Sequence, residues 1–233
     1  MEWRCRDWQA FRLTIVLAVV VSIILTVVGL PLASWIAFSR RRWKFLVEAL
    51  VALPIVLPPT VLGFYVLVAL GSRSPLGRWW QSLTGHTLAF TFTGLVIGSI
   101  LYSLPFAVQP LAASFEGIDR QLLDASAVLG AGALRTFCRV ILPLSVPGLV
   151  TALVLSFAHT LGEFGVVLMV GGNLPGSTRT ISIDIYDHVQ SLEYAEANRL
   201  ALVLLVFSFV VLSLVYGVNR RFRRRVWSPW PVR

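Results

Sequence analysis

The residues best suited to chemistry in this chain are a glutamate and a histidine inside an apolar stretch. Glu163 and His159 lie four positions apart within residues 144–170, so a helix would place both side chains on one face. An ionisable group at membrane depth is costly and usually functional, which favours a gate or a pathway contact. A structural hydrogen-bonding group near the membrane interface, or across a dimer, is the alternative interpretation of Glu163. A carboxylate also repels anions, so Glu163 is not expected to bind one directly.

Hydroxyl groups in the apolar stretches are the other candidates for contact with a solute. Each could donate a hydrogen bond to a polar solute crossing the membrane, and each could instead serve helix packing. The candidate pathway or gate residues are therefore Thr60, Ser99, Ser103, Ser156, Thr160 and Glu163.

The sequence argues against an enzyme. Its single lysine, Lys44, follows no P-loop glycine pattern, so ATP hydrolysis by a Walker A motif is excluded and any ATP chemistry must lie on a partner. There is no Ser/His/Asp, Cys/His or paired-carboxylate arrangement that suggests a catalytic site. The two cysteines, Cys5 and Cys138, are expected on opposite sides of a membrane, and the three histidines are scattered. We therefore expect no catalytic residue, cofactor, metal site or disulfide.

The elements that must position these residues are membrane spans. The chain has 233 residues, of which 57% are hydrophobic and 13% charged, and its mean hydropathy is +0.79. Such values are typical of an integral membrane protein. About 20 apolar residues cross a bilayer. The sequence predicts an all-α protein with one transmembrane domain over residues 1–233 and five spans near residues 13–38, 45–70, 88–111, 144–170 and 200–218. The loops at 71–87 and 171–198 are polar, and a short helix or strand is expected in the second.

The net charge of +9 predicts an orientation rather than nucleic-acid binding, because the basic residues flank the apolar runs. Segments 40–44, 112–143 and 219–233 carry 13 of the 20 lysines and arginines, and the loops on the other side carry 7. The richer side is expected to be cytoplasmic, with the N-terminus outside and the C-terminus inside. The basic run at 220–225 would anchor this topology and contact acidic lipids.

The longest interruption of the apolar pattern, residues 119–147, predicts two short amphipathic helices. In the first, Leu122 and Leu129 recur at helical spacing between a possible N-cap, Asp119, and a natural stop, Gly130. In the second, Leu134, Phe137, Cys138 and Ile141 share one face, and Pro143 is expected to end the helix. The apolar faces need a partner, either in the same chain or in another protein.

This interruption resembles the cytoplasmic loop of ABC-importer permeases. The family pattern is Glu-Ala-Ala, three residues, Gly, nine residues, Ile, one residue and Leu-Pro. The present chain has Asp for Glu, Ser for the second Ala and Val for Ile. An amphipathic loop on the membrane surface is the alternative. The resemblance implies that the cytoplasmic loop, residues 112–143, couples the chain to an ATPase through Asp124, Ala125, Ser126, Gly130, Val140, Leu142 and Pro143.

Two further segments resemble molybdate permease subunits: LPIVLPPTVLGF at 53–64 and LGEFGVVLMVGGNLPGSTRTISIDIYDHV at 161–189. Related sulfate permeases share the Gly162–Gly165 element. The resemblance implies a type I ABC importer permease fold in the bacterial inner membrane, a second copy of the chain, a cytoplasmic ATPase dimer and a periplasmic oxyanion-binding protein. Arg179, in the external loop, could contact that binding protein or remain solvated.

Two alternatives stay open at this point. A sulfate or tungstate permease would share the same machinery, because specificity is expected largely in the binding protein. A proton-coupled secondary carrier would use Glu163 and His159. The absence of a detectable internal repeat argues against this carrier.

Overall fold

The computed structural model describes residues 5–226, and within them the side chains of residues 7–217. Every regular element in this part of the chain is helical. The elements are α1 Cys5–Phe38, α2 Lys44–Val56, α3 Pro59–Leu70, α4 Pro75–Thr84, α5 Phe92–Glu116, α6 Arg120–Val128, α7 Ala133–Thr136, a π-helical turn Phe137–Ile141, α8 Leu142–Leu144, α9 Val146–Leu161, α10 Gly165–Gly171, α11 Ile181–Gln190 and α12 Tyr194–Val226.

The predicted all-α membrane architecture is confirmed. Three helices, α1, α5 and α12, are long and apolar enough to cross a membrane alone. Two bent pairs, α2 with α3 and Ala133–Leu144 with α9, meet the same criteria when each pair is taken as one span, which gives up to five spans. Side chains of the basic run at 220–225, and that of Cys5, lie outside the described side chains.

The prolines of the second stretch break it rather than merely kink it. Helices α2 and α3 meet at an angle of 111°. Pro58 forces the residue before it away from the helical region, and Leu57 is accordingly extended, with ψ 137°. Pro59 then occupies the first turn of α3, where its missing N–H costs nothing. The residues around 57–59 therefore form a fixed corner.

The stretch expected as one span over residues 144–170 consists of two helices, α9 and α10. Gly162 to Phe164 separate them, which places Glu163 in a break inside the apolar stretch. The expectation that Pro143 ends the preceding helix is wrong by one residue. Helical structure runs to Leu144 and bends by 72° before α9. Pro143 lies near the start of α8, where a missing N–H is tolerated.

Both loops on the side opposite the amphipathic segment contain a helix, which was expected for residues 171–198 but not for residues 71–87. The predicted loop at 71–87 contains α4, whose first turn is capped by Ser74 Oγ accepting a hydrogen bond from the Gly77 N–H at 2.8 Å. Residues 171–198 contain α11, and its Ile181, Ile183 and His188 are buried. This second loop is thus packed into the bundle rather than lying on its surface.

Helices α1, α5 and α9 pack against one another at the centre of the molecule. Helices α5 and α9 come close together at Gly148, where an added Cβ would lie 2.3 Å from the Ser114 Cβ. Helix α10 packs on α3 and α5, and α11 packs on α12 and α1. The apolar window of α12 is only 6% buried, so this helix has a large uncovered face.

The bundle has two ends that organise the candidate sites. We call the basic end the one that holds residues 39–44, the end of α5 and the segment α6–α8, where Lys44 Nζ lies 3.3 Å from Glu116 Oε1. We call the loop end the one that holds Asp7, residues 172–193 and Arg199, where α1 and α12 begin.

Candidate functional sites

A cavity of about 530 Å³ opens between the start of α3, the middle of α5 and the break between α9 and α10. The corner at Pro59 and the close approach of Gly165 to it, where an added Cβ would lie 2.6 Å from the Pro59 Cβ, form one wall. The lining residues are Pro59, Thr60, Tyr102, Ala158, His159, Gly162, Glu163, Phe164 and Gly165.

Glu163 contributes a carboxyl group to this cavity and is 4% exposed. Among the described residues, neither of its carboxyl oxygens has a hydrogen-bond partner within bonding distance. Ser99 and Tyr102, both on α5, are its polar neighbours. Burying a carboxylate without a partner costs several kcal/mol, so the group is poised to take a proton or a hydrogen-bond donor.

Three side chains of α5 contact the ring of His159, which lies on α9. Its Nδ1 lies 2.9 Å from Ser103 Oγ, which in turn lies 3.1 Å from Thr160 Oγ1. Its ring stacks on Phe106, with centroids 4.0 Å apart and planes 24° apart, and meets Tyr102 at 4.7 Å. The imidazole is therefore fixed in position at the cavity wall.

The six pathway candidates fall into two groups in the structure. Thr60 and Glu163 line the cavity. The other four are buried between α5 and α9. Ser103 and Thr160 bond to each other, whereas the hydroxyls of Ser99 and Ser156 have no partner among the described residues. These four are Ser99, Ser103, Ser156 and Thr160.

The first helix of the amphipathic segment forms for local reasons. Asp119 caps α6 by accepting a hydrogen bond from the Gln121 N–H at 2.9 Å. Gly130 ends the helix with φ +75°, a conformation that favours glycine. The N–H of Ala131 bonds to the Ser126 carbonyl, and that of Gly130 to the Ala127 carbonyl, which is the Schellman pattern of a helix end.

The second helix is joined to the first and to the bundle. Ser126 Oγ lies 2.8 Å from Thr136 Oγ1, which ties α6 to α7. The π-helical turn follows, in which the Leu142 N–H bonds to the Phe137 carbonyl. Phe137 packs edge-on against Phe115 of α5, with ring centroids 6.0 Å apart. Helices α6 and α7 are thus connected to α5 through side-chain contacts.

The segment also leaves apolar side chains uncovered at the basic end. Val128 and Leu129 are 87% and 85% exposed, and Leu134 is 77% exposed. They are the most exposed large apolar side chains of this segment. In the same segment, the seven residues named from the loop pattern differ in exposure. Asp124, Ala125, Gly130 and Pro143 are exposed, Val140 and Leu142 are half-buried, and Ser126 is buried.

A buried charge network at the loop end was not predicted from the sequence. Asp7 is 1% exposed, and its Oδ2 lies 2.5 Å from Arg199 Nη2. Arg199 also contacts Glu196 at 2.7 Å. This network joins the beginnings of α1 and α12, which are 192 positions apart in the chain.

Arg179 is neither solvated nor free to meet a partner. It is 8% exposed and lies 3.5 Å from both Asp184 Oδ1 and Asp187 Oδ2. Three side chains of metal-ligating type also come together at this end of the bundle. Ligand atoms of Asp7, Asp184 and His188 lie within 4.8 Å of one another. Both carboxylates contact a guanidinium, Asp7 that of Arg199 and Asp184 that of Arg179. The Ile181 N–H bonds to Thr14 Oγ1 at 2.9 Å, which ties this segment to α1.

The long helices, the broken spans and the helical segment at the basic end define a multi-pass membrane protein with the fold of ABC-importer permeases. The chain superimposes on a chain of a bacterial ABC transporter involved in the import of the acidic polysaccharide alginate with a TM-score of 0.78 and 18% identity, over 94% of this chain and 80% of that one. With the MetNI methionine ABC transporter the TM-score is 0.67, over 95% and 94% of the two chains, at 19% identity.

The chain belongs to the binding-protein-dependent transport system inner membrane component family, whose sequence model matches residues 29–228. It is 52% identical to the molybdenum transport system permease protein of Azotobacter vinelandii, over 93% of this chain and 96% of that protein. It is 34% identical to the corresponding Escherichia coli K12 protein, over 94% and 96%. The sulfate transport system permease protein CysT of E. coli K12 is 33% identical, over 93% and 78%.

Proposed function

We propose that this chain is the membrane-spanning permease subunit of an ATP-driven importer that carries molybdate across the bacterial inner membrane. The observation that carries the proposal is the similarity to molybdenum transport permeases over nearly the whole chain. The broken spans around the cavity supply the internal corners that a two-state bundle needs in order to open alternately to each side.

ATP hydrolysis belongs to a separate cytoplasmic ATPase dimer, which docks on the segment α6–α8. Support comes from the uncovered apolar side chains of this segment and from its packed connection to α5. The coupling residues are Asp124, Ala125, Ser126, Gly130, Val140, Leu142 and Pro143. Closure of the ATPases would push this surface, and the contact of Phe137 with Phe115 would transmit the movement.

The remaining partners follow from the two ends of the bundle. A periplasmic oxyanion-binding protein docks at the loop end, where the bond from the Ile181 N–H to Thr14 Oγ1 ties residues 172–193 to α1. A second copy of the chain and membrane lipids cover the exposed apolar helix faces, of which α12 has the largest. The N-terminus is outside and the C-terminus cytoplasmic, as the distribution of basic residues favours.

The solute pathway runs past the cavity between α3, α5 and the α9–α10 break. Thr60 and Glu163 line it directly, and Ser99, Ser103, Ser156 and Thr160 set the packing of its wall. Sulfate or tungstate is the second candidate cargo, because the chain is also similar to a sulfate transport permease.

The test of this function is uptake by vesicles that contain the chain, its ATPase and its oxyanion-binding protein. We expect labelled molybdate to accumulate only when ATP and the ATPase are present. The variant Gly130→Pro should abolish uptake while the chain still folds, because proline cannot adopt the φ of +75° at the end of α6. Uptake that needs neither ATP nor the ATPase would refute the importer assignment and favour a proton-coupled carrier.

The orientation has its own test, because Cys138 is exposed in the coupling segment. In a Cys5→Ser background, a membrane-impermeant maleimide should label Cys138 in inside-out vesicles and not in intact spheroplasts. Labelling in spheroplasts alone would reverse the assigned topology. A Cys138→Ser variant of the same background controls for labelling at other sites.

A further inference from the structure

We infer that His159 forms an oxyanion-binding subsite within the membrane, in which its Nε2–H donates a hydrogen bond into the cavity. This inference rests on the proposed transport of a tetrahedral oxyanion. It adds a residue outside the six hydroxyl and carboxyl candidates, and it assigns that residue a protonation pattern and a role.

Three groups decide which nitrogen of the imidazole carries the hydrogen: the half-buried His159 and the buried Ser103 and Thr160. Ser103 Oγ is within hydrogen-bonding distance of both His159 Nδ1 and Thr160 Oγ1. Each hydroxyl can donate one hydrogen, and a neutral imidazole carries one on either Nδ1 or Nε2. Thr160 is 2% exposed and Ser103 is fully buried, so a hydroxyl hydrogen without an acceptor would be costly there.

A single arrangement gives both of these hydroxyl hydrogens, those of Ser103 and Thr160, an acceptor. Thr160 donates to Ser103, and Ser103 donates to His159 Nδ1. If instead Nδ1–H donated to Ser103, either the Ser103 or the Thr160 hydrogen would lack an acceptor among the described groups. Buried polar groups are nearly always satisfied, so the first arrangement is favoured. The neutral imidazole then carries its hydrogen on Nε2.

The contacts of the ring leave its Nε2 edge for the cavity. Ser103 engages one edge of the imidazole, and Phe106 covers one ring face at 4.0 Å. His159 nonetheless lines the cavity, so the edge that carries Nε2 remains to face it. Packing and the Ser103 bond together fix the donor before any solute arrives, which is what preorganised recognition requires.

The other groups that line the cavity are suited to weak, transient binding of an oxyanion. Thr60 and Tyr102 add hydroxyl donors, and the lining residues that the structure describes include no lysine or arginine. At about 530 Å³ the cavity can hold a tetrahedral oxyanion together with several waters, each of which takes roughly 30 Å³. Neutral donors bind an anion weakly enough to release it. A transport pathway needs such a transient subsite.

Two amide variants of His159 separate this role from a structural one. Asn places its amide near the Nδ1 position and can keep the Ser103 bond, but it offers no donor where Nε2 lies. Gln reaches the Nε2 position. In vesicles with the ATPase and binding protein, we expect His159→Asn to lower the initial rate of molybdate uptake about tenfold or more, the value of a hydrogen bond to a charged group. His159→Gln should stay within about threefold of the unmodified chain.

The controls make each outcome decisive. ATP hydrolysis stimulated by the loaded binding protein is measured in parallel and should remain in both variants, which shows that they fold and assemble. His86 is exposed and lies two residues after the end of α4, so His86→Asn should leave uptake unchanged. Equal uptake by the Asn and Gln variants, at either a high or a low rate, overturns the inference. Failure of the unmodified chain to import molybdate, tungstate or sulfate overturns the proposed function instead.

Discussion

The buried ion pair at the loop end should respond unequally to removal of its two members. Asp7 is 1% exposed, and its second oxygen, Oδ1, has no partner among the described residues. Arg199→Met would leave this carboxylate buried and uncompensated, which costs about 3–5 kcal/mol. Asp7→Asn would leave Arg199 paired with Glu196 at 2.7 Å, so we expect a cost of only about 1 kcal/mol.

An exposed ion pair at the basic end provides the comparison. Lys44 Nζ lies 3.3 Å from both Glu48 and Glu116, but the two glutamate side chains are 44% and 49% exposed. Solvent-exposed pairs contribute about 1 kcal/mol or less. Lys44→Met should therefore have a small effect, although this lysine contacts two carboxylates.

Thermal unfolding of the purified chain in detergent measures all three variants. One kcal/mol shifts Tm by about 2–4 °C in a protein of this size. We expect Arg199→Met to lower Tm by roughly 10 °C and the other two variants by a few degrees at most. Equal losses for Arg199→Met and Asp7→Asn, or a larger loss for Lys44→Met, would refute the reasoning that burial of Asp7 decides the cost.

Three further predictions concern helix contacts. Gly148→Ala should destabilise the chain by about 1–3 kcal/mol, because its Cβ would lie 2.3 Å from that of Ser114; Gly217→Ala, which meets nothing within 4 Å, is the matched control, and equal Tm values would contradict the prediction. Gly130→Ala should cost about 1 kcal/mol through its φ of +75°, whereas Gly130→Asn should cost less, and the reverse order of Tm would be contrary evidence. Ser126→Ala removes the bond between α6 and α7, so molybdate imported per ATP hydrolysed should fall while ATP hydrolysis continues; an unchanged ratio would exclude a coupling role.

The amphipathic segment was predictable because its signals are local. Asp119, Gly130 and the apolar spacing between them act within one helix, and the structure places the cap and the helix end where the sequence indicated. Pro143 was misread because proline is as acceptable in the first turn of a helix as after its end. Sequence spacing alone does not distinguish these two positions.

The cavity and the loop-end network were not predictable because they depend on contacts between distant residues. Ser103 and His159 are 56 positions apart, and Asp7 and Arg199 are 192 apart. The sequence places each of these residues beside or within an apolar stretch, but it does not show which helix faces which. Arg179 illustrates the result, since an arginine in a polar loop gave no sign that two aspartates of the next helix bury it.

Transport in vesicles that hold this chain, its ATPase and its oxyanion-binding protein tests the central claim most directly. Labelled molybdate uptake would be measured with ATP, with a non-hydrolysable ATP analogue, and with a proton gradient but no nucleotide. We expect labelled molybdate to accumulate with ATP and under neither of the other two conditions. Unlabelled molybdate should reduce this uptake more than sulfate does. Accumulation driven by the proton gradient, or ATP-driven uptake of sulfate but not of molybdate, would contradict it.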